Sequence, residues 1–301
     1  MSQVRTTEAP GRITPVDEFV NTLEVEAMAQ RKLAPGLFEE IAGSNRYSFD
    51  RITFRPRMLV DTTKLDLSLD LFGQRHFAPI LIGPAGQQQR FHPEGELAMA
   101  RGANAAKAGL VVGAQSSYSF EKIAPLTQQP LWAQLSDPNQ IPSSAKVICL
   151  SAPLDWARVD QFRKAVNVPL VLKGIMTAQD ARTAIEHGAS GIVVSSYRPS
   201  GSAQGGALDV LPEIVRAVGR RVPILIDGSF RRGGDILKAL ALGATAALVT
   251  RPALWGLATY GDRGVQQVLE MLQSEIARDM AMLGLANLSQ ISPAFIRMHK
   301  R

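Results

Sequence analysis

Lys173 closes an apolar run, PLVLKG at 169–174, and a lysine at such a place needs an anion or a ligand to meet its charge. The plain alternative is a side chain that snorkels to a rim. Further on, DGSFRRGGD at 227–235 and TRP at 250–252 set small residues beside Arg231 and Arg251. Small residues let backbone N–H groups approach a phosphate, and either guanidinium can clamp it. A helix beginning near Gly233 would aim its positive end at the same point. An ordinary surface loop is the competing reading. Gln134 and Ser151, which end or nearly end the runs LWAQL and KVICLS, are neutral hydrogen-bonding groups suited to the edge of a heterocycle, or else satisfied polar core residues. Cys149 is the only cysteine, which excludes an intramolecular disulfide and a cysteine-based metal site. Its apolar surroundings point to a buried, inert thiol, and no metal centre is expected.

These residues need a scaffold, and the chain supplies a regular one. Short apolar runs occur at 79–84, 109–114, 131–135, 146–151, 169–174, 191–196, 223–228 and 246–250. They are rich in Val, Ile and Leu with little alternation, as expected of strands buried on both faces. Most are separated by amphipathic helical stretches such as EGELAMARGANAAKAG and TAQDARTAIEHGA. The pattern predicts an α/β fold, a (β/α)8 TIM barrel, in which ligands sit at the C-terminal ends of the strands. One crossover is anomalous: SDPNQIPSSA, between the third and fourth runs, has two prolines and is too short for a helix. A shortened third crossover leaves apolar strand surface, to be covered by the N-terminal segment or by another subunit.

Before the barrel, residues 1–15 read as a flexible tail and 16–78 as an N-terminal extension. Helical spacing from Val16 to Ile41 suggests two short helices broken at Pro35. The stretch ITFRPRMLVDTTKLDLSLDLFG reads as extended chain or a small hairpin. Residues 79–260 form the barrel and 261–301 a C-terminal amphipathic helix with a polar tail. The whole of 16–301 is one domain.

The balance of 33 Lys+Arg against 27 Asp+Glu gives a net charge of +6, which admits nucleic acid, a membrane surface or an anionic ligand. No basic run reaches five residues and aromatics are 6%, too few for a single-strand stacking surface. No apolar stretch approaches a membrane span, and the polar start MSQVRTTEAPGR lacks a signal-peptide core. The expectations are therefore no nucleic acid, no membrane, a cytoplasmic location, and a small anionic or polar substrate.

Several long motifs in order carry a resemblance. RITFRPRMLVD at 51–61, HPEGE at 92–96, PLVLKGIMTAQDA at 169–181, IDGSFRRGGDILKALALGA at 226–244 and TRPALWGLATYGDRGV at 250–265 resemble the FMN-dependent α-hydroxy-acid oxidases and dehydrogenases, the glycolate oxidase and lactate dehydrogenase group. The resemblance implies FMN in the barrel mouth. Lys173 matches the lysine near flavin N1 and O2, where a fixed ammonium favours the reduced ring. Gln134 and Ser151 match positions that hold the pyrimidine edge, and Pro84, Ala85 and Gly86 the first-strand turn facing the flavin. Asp227, Gly228, Ser229, Arg231 and Arg251 match the phosphate and ribityl region, and Ser195 joins the cofactor-binding set. Ser229 and Thr250 stand where the family has glycine.

The substrate side departs from the family. After the sixth run the family reads S-N-H-G-G/A-R, whereas this chain reads SSYRPS, with Tyr197 at the catalytic histidine position and Ser200 at that of the carboxylate-gripping arginine. A tyrosine near its ordinary pKa of ~10 is a poor base at neutral pH. Glu40 and Ser136 replace two substrate-contacting tyrosines, and SAPLDW runs into the next helix where the family has a long lid. Of the other histidines only His92 falls on a top-face loop, and HPEGE reads more simply as a helix start. The resemblance thus implies an FMN-binding oxidoreductase acting on a different substrate, with Lys173 and Tyr197 at the chemistry and Arg198 as a conditional anion binder. The alternatives are a catalytically silent flavin-binding or assembly protein, and a flavin-free barrel lyase or isomerase. A homo-oligomer is expected.

Overall fold

In a computed structural model, which describes residues 14–151, 155–196 and 206–299, the eight apolar runs are eight parallel strands. They are β1 (Ile80–Ile82), β2 (Gly109–Val112), β3 (Leu131–Leu135), β4 (Ile148–Ser151), β5 (Leu170–Ile175), β6 (Gly191–Ser195), β7 (Ile224–Asp227) and β8 (Ala246–Leu248). Each pairs with the next in sequence and β8 pairs with β1, closing the barrel. Side chains alternate across a strand, so every strand feeds two cores. Trp132, Cys149, Val171, Val193 and Leu225 point inward, while Ala133, Ile148, Leu172, Ile192 and Ile226 face the helices. Beneath the inner layer an antiparallel hairpin, Leu69–Leu71 with Gln74–His76, plugs the base. Its Phe72 packs edge-on to Trp132 at 5.6 Å, and Gly191 leaves the space: a Cβ there would lie 2.6 Å from the Phe72 ring.

The helices are α1 (Thr22–Lys32), α2 (Pro35–Ile41), α3 (Tyr47–Asp50), α4 (Gly95–Ala105), α5 (Phe120–Ile123), α6 (Trp156–Ala165), α7 (Ala178–Glu186), α8 (Ala207–Val218), α9 (Gly233–Ala241) and α10 (Arg251–Leu283). Pro35 separates α1 from α2 by starting the second, at the position where a missing N–H is harmless. The span α10 is two helices joined at a kink, and the second begins at Gly261, where the periodicity places the C-terminal helix. The first follows β8 directly, and the kink lies at Tyr260 and Gly261, where Gly261 takes φ +59°. The two halves fold against each other backbone to backbone: a Cβ on Gly256 would lie 2.4 Å from the Gly264 carbonyl oxygen. Beyond it, Ile296–Met298 is not a free tail but pairs antiparallel with Ile52–Phe54. Thr14, assigned to the tail by sequence, is buried, and its carbonyl accepts a hydrogen bond from the Tyr260 hydroxyl.

The third crossover carries no helix. Its expected consequence does not follow. The outward residues Leu131, Ala133, Ile148 and Leu150 are buried within the single chain, in one core with Phe120 and Ile123 of α5 and Ala145 of the crossover itself. Ile141 packs on the same core. The irregular segment folds back as its own cover, so this face needs neither the N-terminal extension nor a second subunit.

Candidate active site

Parity along the strands builds the site. Above the apolar inner layer, the next inward position on successive strands is Gln134, Ser151, Lys173, Ser195 and Asp227. Polar residues there face the barrel mouth, since the helices cover the other faces. Lys173 is 8% exposed, and its Nζ lies 2.7 Å from Asp227 Oδ2. Between them on β6, Ser195 accepts a hydrogen bond from Lys173 Nζ at 3.0 Å and donates to Asp227 Oδ2 at 3.1 Å. The lysine thus lies inside the mouth, two residues before its strand ends at Ile175, and the anion that meets it is Asp227, which the family resemblance assigns to the phosphate and ribityl region. Gln134 donates to Ser151 Oγ at 2.7 Å and accepts from the Ala114 N–H at 3.3 Å. Below the crown Cys149 is fully buried, and burial pushes its thiol pKa up to about 12, which makes it inert as expected.

A cavity of about 450 Å³ opens over the crown, lined by Pro84–Gly86, Lys173, Ser196, the 227–231 turn and the 248–252 segment. The loops after β7 and β8 meet the N-terminal extension at one end of it. Arg251 donates to Ser44 Oγ at 2.9 Å, and Ser44 Oγ lies 2.6 Å from Ser229 Oγ. Ser229 holds φ +56°, a left-handed conformation that glycine adopts without strain. Arg231 differs from its expected role as a free clamp. It is 6% exposed, with Nε 3.1 Å from Glu26 of α1 and Nη1 donating to the Ser44 carbonyl at 2.9 Å. Its guanidinium is therefore fixed from behind by the extension, and Gly43 is required there: a Cβ would lie 1.4 Å from Arg231 Nη2. Thr250 turns its hydroxyl to the space left by Gly83.

Beside this cavity lies a second, of about 520 Å³, lined by Gln134, Ser136, Tyr118 and the 139–142 crossover segment among others. Gln134 faces it and not the first. The wall between them is the tight approach of two loops, since a Cβ on Gly113 would lie 2.6 Å from the Ala85 carbonyl oxygen.

The sequence reading missed Arg90. It stands on the turn after β1, and its two terminal nitrogens meet both carboxylate oxygens of Glu40, one at 2.8 Å, on the wall of the first cavity. Arg90 is a cation in a top-face loop, a signal that was legible, but nothing local marks it among other arginines. The Ser44 and Glu26 contributions carry no comparable signal. Tyr197 and Arg198 lie outside the described residues, as do Ser200 and the residues 152–154 at which a lid would begin. The described histidines stand apart from the chemistry. His76 is buried at the base, His187 bonds Asp160 at 2.7 Å and stacks on Trp156, and His299 meets Thr53 Oγ1 at 2.8 Å. His92 Nδ1 accepts from the Glu94 N–H at 3.2 Å, as a helix-start residue does. No group of three or more His, Cys, Asp or Glu side chains among the described residues could hold a metal ion.

The first cavity suits a flat, anionic cofactor. Its volume is within the range of small-molecule sites, it has a buried ammonium at one side, and Arg251 and two serine hydroxyls at one end. Gly228, at φ +129° with open space where a Cβ would be, presents bare backbone to it.

Comparison with known proteins agrees. The family model described as FMN-dependent dehydrogenase matches residues 38–149 and 142–298. The chain is 32% identical to the L-lactate oxidase of Nostoc sp., over 95% of this chain and 100% of that protein. It is 32% identical to the 4-hydroxymandelate oxidase of Amycolatopsis orientalis, over 88% and 95% of the two. The crystal structure of mandelate oxidase with (S)-4-hydroxymandelic acid superposes with a TM-score of 0.88 at 30% identity, covering 94% of this chain and all of that one. The Nostoc alignment extends over 367 positions against 301 residues here, so the relative carries segments that have no counterpart in this chain. With barrel, cavity and matched segments in accord, the chain belongs to the FMN-dependent dehydrogenase family and is an FMN-dependent oxidoreductase.

Proposed function

We propose that this protein oxidises a polar or anionic small molecule bulkier than glycolate or lactate. The 450 Å³ cavity would hold FMN, with Pro84, Ala85 and Gly86 against the ring. Ser151, beside Lys173 in register, would lie toward the pyrimidine edge, with Gln134, which faces the second cavity, bonded to it from behind; Asp227, Gly228, Ser229, Arg231 and Arg251 would hold the ribityl chain and phosphate. When bound, FMN supplies the acceptor for two electrons from the substrate carbon. The chain's own residues do the rest. Lys173 meets the negative charge that the ring acquires on reduction, and Ser195 and Asp227 hold its Nζ in place. Tyr197 hydrogen-bonds the substrate hydroxyl, whose proton passes to solvent as the carbon is oxidised, and Arg198 engages an anionic group.

The observation that carries the reading is the fixed Lys173–Ser195–Asp227 network beneath a cavity of ligand size. Support for a changed substrate comes from the substitutions at Tyr197, Ser200, Glu40 and Ser136, and from aligned segments of the relative that have no counterpart here. The second cavity, with Ser136 in its wall, supports a larger ligand.

The direct test is the visible spectrum of the FMN-loaded protein, followed by anaerobic bleaching with a graded set of 2-hydroxy acids. Bleaching by aryl or long-chain acids, with glycolate and lactate inert, is the expected result. Fast bleaching by glycolate would overturn the substrate assignment, and failure to retain FMN would overturn the cofactor placement. Self-association, expected from an uncovered third crossover, loses that support because the crossover is covered within the chain.

A further inference from the structure

The Arg90–Glu40 pair is built like a carboxylate clamp already holding a carboxylate. The guanidinium addresses both oxygens of Glu40 at once, the bidentate arrangement that gives arginine its selectivity for planar anions. The two ends of the pair are anchored differently from its tips. Arg90 ends a short turn, Gln88–Arg90, whose base is rigid: the Gln87 N–H donates to the Gln115 carbonyl at 2.8 Å, and the Gln88 N–H to the buried Glu96 at 3.1 Å. Glu40 comes from α2, on the separate N-terminal extension. Their side chains, by contrast, are 47% and 46% exposed on the cavity wall.

Exposure at that level decides what the pair can do. A half-exposed ion pair contributes little to stability, because water screens the attraction and two long side chains lose freedom. Exchanging Glu40 for another carboxylate of equal geometry therefore disturbs the fold little. Among the described residues, Glu40 is the carboxylate that bonds Arg90, whereas the buried Lys173 and Arg231 are committed to Asp227 and Glu26. Arg251, bonded to Ser44 Oγ, stands at the end proposed for the phosphate, so away from that end Arg90 is the cavity cation whose present carboxylate partner a ligand can replace.

We infer that Arg90 is a specificity-determining residue that grips the carboxylate of the substrate, and that Glu40 is its internal occupant, displaced when substrate enters. The inference rests on the placement of FMN in this cavity proposed above. It adds an anion contact on the turn after β1, independent of Arg198. Glu40 then acts as a built-in competitor, so that only carboxylates making further contacts in the cavity displace it.

The test uses the FMN-loaded protein and carboxylates with no hydroxyl to oxidise: acetate, propionate and benzoate. Their binding is read as a perturbation of the flavin absorption bands, apart from any turnover. Arg90→Gln is expected to weaken binding about tenfold or more. Glu40→Gln removes the competitor while keeping the shape of the side chain, and is expected to tighten binding several-fold. A purely structural strap between α2 and the turn predicts that both variants lose affinity together. Opposite directions support the inference; equal losses, or no change in Arg90→Gln, overturn it. FMN content measured on the same samples separates failure of this inference from failure of the cofactor placement, since neither variant is expected to release FMN.

Discussion

Lys173 Nζ and Asp227 Oδ2 stand 2.7 Å apart on two strands that are not neighbours, with the Ser195 hydroxyl of the intervening strand bonded to both. In the arrangement proposed for FMN, Lys173 Nζ must keep its buried partners and also aim a donor at the ring, and its three donor hydrogens allow both. The pair is nearly dry, at 6% and 13% side-chain exposure, so each partner depends on the other.

Lys173→Met tests the catalytic duty. Losing a preorganised donor at developing negative charge is expected to slow anaerobic flavin reduction by about 10²–10³-fold, as measured by stopped-flow absorbance. Asp227→Asn leaves the ammonium without its counter-charge, and is expected to lower unfolding free energy by about 3 kcal/mol in denaturant titration. A variant of Lys173 that reduces at the parent rate would remove that lysine from the mechanism.

Gly43→Ala probes the support behind Arg231. The new methyl would lie 1.4 Å from Arg231 Nη2 and 2.6 Å from Glu26 Oε1, so the Arg231–Glu26 contact must move. The expected loss is about 1–3 kcal/mol of stability, together with weaker FMN retention in equilibrium dialysis. Unchanged affinity for FMN would mean that the N-terminal extension does not position the phosphate end.

His76 makes stability depend on pH. Burial holds its pKa down at about 4, below the ordinary 6.5, and neither ring nitrogen has a hydrogen-bond partner among the described residues. Between pH 6.5 and 4 the unfolded chain takes up a proton that the folded one refuses. Stability is therefore full above pH 6.5 and falls as pH is lowered through that window, by about 3 kcal/mol in total. Replacing His76 with leucine is expected to flatten the loss over this interval, as read by melts at successive pH values. An unaltered slope in that variant would assign the acid sensitivity to other groups.

Cys149 is expected to resist thiol reagents while the barrel is intact. Its pKa near 12 leaves almost no thiolate at pH 8, and no solvent reaches it. Labelling by a chromogenic disulfide should follow the unfolding curve in denaturant, with one thiol per chain released on unfolding. Rapid labelling of the native protein would show that the β4 region opens independently.

The barrel and its polar crown were legible in the sequence because their causes are local. Eight runs of branched apolar residues fit strands covered on both faces, and strand parity alone places Gln134, Ser151, Lys173, Ser195 and Asp227 on the inward side. The hairpin near residue 70 and the helix break at Pro35 follow from the same kind of short-range rule. What tertiary structure alone decided are the partners. Asp227 belongs to Lys173, Glu26 to Arg231 and Glu40 to Arg90 because barrel closure and the docking of α1 and α2 bring distant charges together. No period or motif encodes those encounters. The third crossover makes the same point from the apolar side: its sequence shows that a helix is missing, but only packing shows that Ala145 and Ile141 fill the place. A local pattern fixes which way a side chain points, whereas the group it meets depends on the path of the whole chain.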